Sequence, residues 1–115
     1  AGGVELTAAL DEIQSHPAHD LCVARLADLC AMSPRTFTRR FTSEIGSPPA
    51  AFVAAARLDH AKRLLLTTHM PVASIAYASG YGSAEAMNHV FRNRLGVAPS
   101  DLRHRLQSAQ APAAD

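Results

Sequence analysis

Cysteine is nearly absent from this chain, aromatic residues are few, and no long apolar run occurs. Each shortage closes off a class of protein. The two cysteines, Cys22 and Cys30, would lie about 12 Å apart along one helix, too far for a disulfide. They could join His16 and His19 in a metal site, but with no second Cys-x-x-Cys or His pair at ligand spacing no metal is expected, and both read as small buried apolar residues, reduced as in the cytoplasm. Arg57, Asp59 and Lys62 interrupt the most apolar stretch well short of the roughly 18 residues a membrane span needs, and no secretory apolar region opens the chain. Val, Ile and the aromatics are sparse whereas Ala and Leu recur at three-and-four spacing, which argues for helices and against sheet. The six histidines are scattered without a nucleophile, base and orienting group, so no enzyme or cofactor is expected.

What is present begins with charge, which is unevenly spread. The net charge of +1 hides an acidic first third and a basic remainder. Residues 1–34 hold Arg25 against Glu5, Asp11, Glu12, Asp20 and Asp28. Residues 35–105 hold nine Arg and one Lys against Glu44, Asp59, Glu85 and Asp101, an excess of six positive charges. Such a bias is the footprint of a polyanion partner or an ordinary solvated face.

The strongest signal is an internal repeat. Leu26-Ala27 falls on Ile75-Ala76 at an offset of 49; then Ser33, Phe41, Gly46 and Pro49 meet Ser83, Phe91, Gly96 and Pro99 at 50. Phe37, Ile45 and Phe52 meet Met87, Leu95 and Leu102 in the same register. The jump by one places an extra residue at Tyr81 or Gly82, in a turn, where length change is cheapest. Each copy reads as two short helices joined tightly, a helix-turn-helix, with Ala27 and Ala31, or Ala76 and Gly80, as the small residues such a crossing needs.

The whole chain reads as all-α, with seven helices and two helix-turn-helix units joined by a long linker helix. The helices are expected at about Val4–Ser15; Leu21–Ala31, capped by Asp20; Pro34–Ile45, capped by Ser33 and ended by Gly46; Pro48–Thr68; Pro71–Ser79; a sixth from Ser83 as cap to Leu95, stopped by Gly96; and Pro99–Leu106. The corresponding divisions are a first helix and lead-in at 1–19, units at 20–47 and 70–108, a linker at 48–69, and a disordered tail at 109–115. The start at Ala1-Gly2-Gly3 without Met reads as a domain cut from something longer. The linker, about 28 Å at 1.5 Å per residue, could hold two reading helices near one DNA turn apart, about 34 Å. Its Arg57, Leu58, Ala61, Leu64 and Leu65 suggest an apolar seam, with His60, Lys62 and Arg63 towards solvent or phosphate.

On the third helix, Phe37, Phe41 and Ile45 form the inward stripe, and Arg35, Thr38, Arg39 and Thr42 the outward one. Arginine can bond guanine O6 and N7 together, and threonine offers a hydroxyl or a methyl, so Arg35, Thr38 and Arg39 read as base contacts and Thr42 as a phosphate contact. The sixth helix has Met87, Phe91 and Leu95 inward. Glu85, suited to a cytosine amino group, Asn88, suited to adenine, and His89, suited to a purine, face outward with Arg92 towards phosphate. The cap serines Ser33 and Ser83 are further phosphate candidates. The competing reading is a helical protein-interaction module with an apolar groove, whose binding would be insensitive to salt.

The phrases LADLCAMSPRTFTRRFTSEIGSPPAAFV, RLDHAKRLLL and VASIAYASGYGSAEAMNHVFRNRLGVAPSDLR strongly resemble the DNA-binding domain of AraC/XylS-type bacterial transcription regulators, from about Asp20 through Arg105. The wording around Ser33–Phe41 is most similar to the branch whose N-terminal half resembles a class I glutamine amidotransferase. The resemblance implies seven helices, two major-groove readers, double-stranded DNA as partner, RNA polymerase as a contact of the full-length protein, and a cytoplasmic location. It also implies a sensing or dimerising domain elsewhere, so this piece alone is expected to be monomeric. By motif position, base contacts fall on Arg35, Thr38, Arg39, Glu85, Asn88 and His89. Ala86-Met87 departs from the aromatic pair usual in the family.

Overall fold

The computed structural model describes residues 6–110, which form seven helices and no strand. We number them α1 (Thr7–Ser15), α2 (Val23–Leu29), α3 (Pro34–Ile45), α4 (Pro49–Thr67), α5 (Val72–Ala78), α6 (Ala84–Leu95) and α7 (Pro99–Gln110). The all-helical expectation holds. α7 runs past its expected end at Leu106 to Gln110, so residues 109–110 of the expected disordered tail are helical; residues 111–115 of that tail, and Val4 at the expected start of the first helix, lie outside the described residues.

The chain divides into two compact units, residues 1–57 and 58–115. In the first, Leu6, Ala9 and Ile13 of the α1 segment pack with Leu26 and Ala27 of α2, Phe37 and Phe41 of α3, and Val53 of α4. In the second, Ala61 and Leu65 of α4 pack with Ile75 and Ala76 of α5 and Met87 and Phe91 of α6. The helix expected as a linker therefore supplies apolar surface to both cores. Its second half is the counterpart of α1: Leu6, Ala9 and Ile13 match Leu58, Ala61 and Leu65 at an offset of 52. The repeat is thus longer than its helix-turn-helix segment.

Both turns are closed by the same backbone device. Met32 N–H donates to Ala27 O (2.9 Å) and Ala31 N–H to Asp28 O (3.0 Å); Tyr81 N–H donates to Ala76 O (2.8 Å) and Gly80 N–H to Tyr77 O (3.2 Å). These paired bonds end a helix through one left-handed residue. That residue is Gly80 (φ +92°) in the second unit but Ala31 (φ +55°) in the first, where a Cβ opposes the conformation. Because Met32 and Tyr81 hold equivalent places, the extra residue is Gly82 (φ +81°).

Several local expectations need correction. Asp20 does not cap α2: the helix starts two residues later, and the Asp20 carboxylate accepts instead from Cys22 N–H (3.1 Å) in the turn before it. Cys22 is exposed and Cys30 half-buried, both free thiols, because α2 is short and Cys22 precedes its first turn. Leu95 is 36% exposed and outside the second core instead of completing the α6 stripe, unlike Ile45, which is half-buried against the first core. On α4, His60 turns to protein, its Nδ1 lying 2.9 Å from Ser79 Oγ. Arg57 is no part of an apolar seam: it donates from Nε to Pro17 O (3.0 Å) and from Nη2 to His19 O (3.1 Å). In the second unit Arg103 of α7 does the same work, donating to Leu65 O, Met70 O and Thr68 O, with Gln107 also reaching Leu65 O. Each arginine fastens the helix after the turn motif to the connector before it, satisfying carbonyls that the surrounding helices leave open.

Candidate nucleic-acid interface

α3 begins where local chemistry says it must. Ser33 has extended backbone and its Oγ accepts from Thr36 N–H (3.2 Å); Pro34, with no N–H to satisfy, takes the first helical position. Phe37 and Phe41 are fully buried, their ring centroids 5.5 Å apart, and Phe52 of α4 meets Phe41 edge-on, also at 5.5 Å. This aromatic trio fixes the rotation of α3 about its axis, so Arg35, Arg39 and Thr42 come out exposed and Thr38 half-buried.

Among the described residues no carboxylate pairs with Arg35 or Arg39. Arg40, which the outward-stripe reading passed over, lies 3.8 Å from Glu44 one turn on. Ser33 is engaged within the cap, since its hydroxyl also donates to Thr36 Oγ1 (3.0 Å). Thr42 donates to Thr38 O (2.8 Å), so giving that proton to a phosphate requires its side chain to rotate.

α6 follows the same plan with different side chains. Ser83 Oγ accepts from Ala86 N–H (3.1 Å), Met87 and Phe91 are fully buried, and Tyr81 in the turn packs edge-on to Phe91 at 6.5 Å. The Ala86-Met87 departure therefore leaves a filled core, with methionine where the first unit has Phe37. Glu85, His89 and Arg92 are exposed and Asn88 is half-buried. Glu85 lies in the first turn of α6, and Arg92 and Arg94 in its last turn, all favourably placed for the helix dipole. Asn93, which sequence reasoning missed, has Nδ2 3.5 Å from His89 Nε2; the i,i+4 spacing was the available signal.

Two helices thus present short polar stripes on rigid, capped, core-anchored scaffolds. The first is cationic; the second mixes an acid, an amide, an imidazole and an arginine. Such stripes can donate to and accept from groove edges, and the cations suit phosphate oxygens.

A family profile described as a helix-turn-helix domain matches residues 26–105. The HTH-type transcriptional regulator Rv1931c of Mycobacterium tuberculosis is 42% identical over 81 residues, 70% of this chain and 31% of that protein. An AraC-like transcription regulator of Streptomyces antibioticus is 35% identical over 98 residues, 85% of this chain and 32% of that one. The chain spans about a third of the length of these curated relatives. Among solved structures, the DNA-binding domain of AdpA, in complex with a target DNA, superposes with a TM-score of 0.86 at 32% identity, covering 92% of this chain and 96% of that one. The chain belongs to the helix-turn-helix domain family, among relatives that include AraC-like transcription regulators.

Proposed function

We propose that this chain is the sequence-specific DNA-binding domain of a bacterial transcription regulator, its two recognition helices α3 and α6 entering successive major grooves of one duplex. The observation that carries the reading is the pairing, twice in one chain, of a serine-capped helix held by a buried apolar pair with a polar stripe left outside. Likeness to a domain solved on its target DNA supports it.

In this reading Arg35, Thr38 and Arg39, with Glu85, Asn88 and His89, contact base edges, while Thr42 and Arg92, and Ser33 and Ser83 at the caps, lie along phosphates. The units 20–47 and 70–108 act as separate readers on the shared helix between them. Beyond this piece, the reading extends to a cytoplasmic regulator with an amidotransferase-like domain and a contact to RNA polymerase; the piece itself is monomeric.

The test is selection of bound sequences from a random duplex pool, followed by titration of the selected site at several salt concentrations. Neutralising phosphates releases counterions, so log affinity should fall against log salt with a slope of several units. A flat line would favour the helical protein-interaction module instead.

A further inference from the structure

Among the described residues Ser79 is the one buried polar side chain, and it stands where the second helix-turn-helix bends. It is the C-cap of α5, immediately before left-handed Gly80, and four residues before the cap of α6. A hydroxyl sealed from water needs a partner. Its partner is His60 on α4, with Nδ1 2.9 Å from Ser79 Oγ. The first unit has no such tie: the residue matching Ser79 is Cys30, a half-buried thiol that is C-cap of α2, and the residue matching His60 is Ala8.

We propose that His60 is a positioning residue for DNA reading by the second unit: through Ser79 it fixes the end of α5, and with it the entry to α6, and taking up a proton releases that hold. The proposal rests on the reading of α6 as a recognition helix.

A neutral imidazole can accept the Ser79 proton at Nδ1 or donate to its oxygen, so the contact is satisfied in either tautomer. An imidazolium can only donate, and it carries a charge that this setting does not welcome. Burial opposes the charge first, and Arg63 one turn along α4 opposes it further, holding the ring's pKa below its ordinary 6.5. No packed element offers a compensating anion. α5 contains no charged side chain, Asp59 on α4, Glu85, Arg92 and Arg94 on α6 and Asp101 on α7 are on exposed positions, and Arg103 of α7 is engaged with the carbonyls of Leu65, Thr68 and Met70. Once protonated, Nδ1 can no longer accept the Ser79 proton, so the buried hydroxyl loses its acceptor while the charge draws the ring towards water, and the tie at the bend weakens.

The experiment compares binding to the selected duplex with binding to the same duplex scrambled in the half read by α6, from pH 8 down to the lowest pH at which the second unit stays folded. The ratio of the two affinities isolates the second unit. For the wild type it should fall about threefold to tenfold on acidification, the value of one hydrogen bond. His60→Asn places an amide near Nδ1 and cannot titrate, so it should keep the high ratio at every pH. His60→Ala should show the low ratio throughout, with unchanged affinity for the first half. Ser79→Ala should likewise give a low, pH-independent ratio, which covers the case in which the His60→Ala chain fails to fold.

Any positive charge gained at the interface in acid would strengthen binding, the opposite sign. A wild-type ratio that stays flat or rises in acid, a His60→Asn chain that follows the wild-type profile, or a His60→Ala chain that reads the second half normally would overturn the proposal. Absence of salt-dependent binding by the wild type at pH 8 would instead remove the DNA reading itself, and the proposal with it.

Discussion

The two units share a scaffold and differ in almost everything attached to it. Both have a serine-capped recognition helix, a fully buried side-chain pair four residues apart, and a turn closed through one left-handed residue. The first core stacks the rings of Phe37, Phe41 and Phe52, whereas the second uses Met87, Phe91 and Tyr81. The first turn is one residue shorter and places an alanine where the second has glycine. The first reading stripe carries two arginines; the second carries Glu85 and His89. What persists is what backbone geometry demands, namely caps, a small residue at the crossing and an apolar pair. Side chains facing outward answer to a partner and diverge freely.

The comparison breaks most visibly if the buried pairs are not equivalent. Phe41→Ala and Phe91→Ala should each cost about 3–5 kcal/mol of stability, because each removes a fully buried ring from the interior of one small core. Denaturant melts followed by signals from each unit should show Phe41→Ala loosening the first and Phe91→Ala the second. An unchanged melting temperature for both would show that the repeat has been wrongly aligned.

The reading faces should be less equal than the cores. On one selected duplex, Arg35→Ala with Arg39→Ala should cost more affinity than Asn88→Ala with His89→Ala, each lost base contact being worth about 1–3 kcal/mol. The first pair removes two cations from a stripe without an acid. The second removes an amide and an imidazole from a stripe already carrying Glu85. A greater loss from the second pair would reverse the order, and equal loss on every duplex would make Arg39 a phosphate clamp instead of a base reader.

Where the difference between units was legible in the sequence, the signals were local. Ser33-Pro34, Ser83, Gly46 and Gly96 mark helix ends because capping involves residues within one turn of each other. The four-residue spacing of Phe37 with Phe41, and of Met87 with Phe91, fixes the inner face of each helix and so the outer one. What escaped depends on partners far along the chain. Arg57 meets carbonyls 38 and 40 residues away, Arg103 meets carbonyls 33 to 38 away, and His60 meets Ser79 across 19. No spacing rule reaches that far, so the sequence shows only charged or polar residues on a helix. Leu95 shows the converse failure, since it has the right period and is nevertheless exposed.

A smaller test concerns the turns. Ala31 holds φ +55° with a Cβ, and Gly80 holds φ +92° without one. Ala31→Gly relieves strain but frees the unfolded chain, so it should stabilise the first unit by no more than about 1 kcal/mol. Gly80→Ala should destabilise the second by about 1 kcal/mol or more, since the new Cβ enters a left-handed position. If both changes are neutral, the two turns are equally tolerant and the difference in residue carries no energetic meaning.

The smallest expected effect is the order in which the units respond to acid. In the first, Glu12 accepts from His19 (2.9 Å) and from Arg25, and these contacts, His19 foremost, hold its carboxyl below the ordinary 4.5. A carboxylate lowered in this way contributes stability that is complete above 4.5 and lost as pH falls through the folded value. In the second, His60 sits below its ordinary 6.5, so the unfolded chain takes up the proton first. Stability there is complete above about 6.5 and declines as pH drops from that point towards the folded value. The second unit should therefore loosen in mildly acidic solution and the first only in the carboxylate range. Backbone amide signals of Phe37 and Phe91, followed from pH 8 to pH 3, report the two units separately. His60→Asn should abolish the earlier change while leaving the later one, and Glu12→Gln should do the reverse. A single transition shared by both amides, or a first unit that loosens before the second, would mean that these two titrating contacts do not set the acid response of their units.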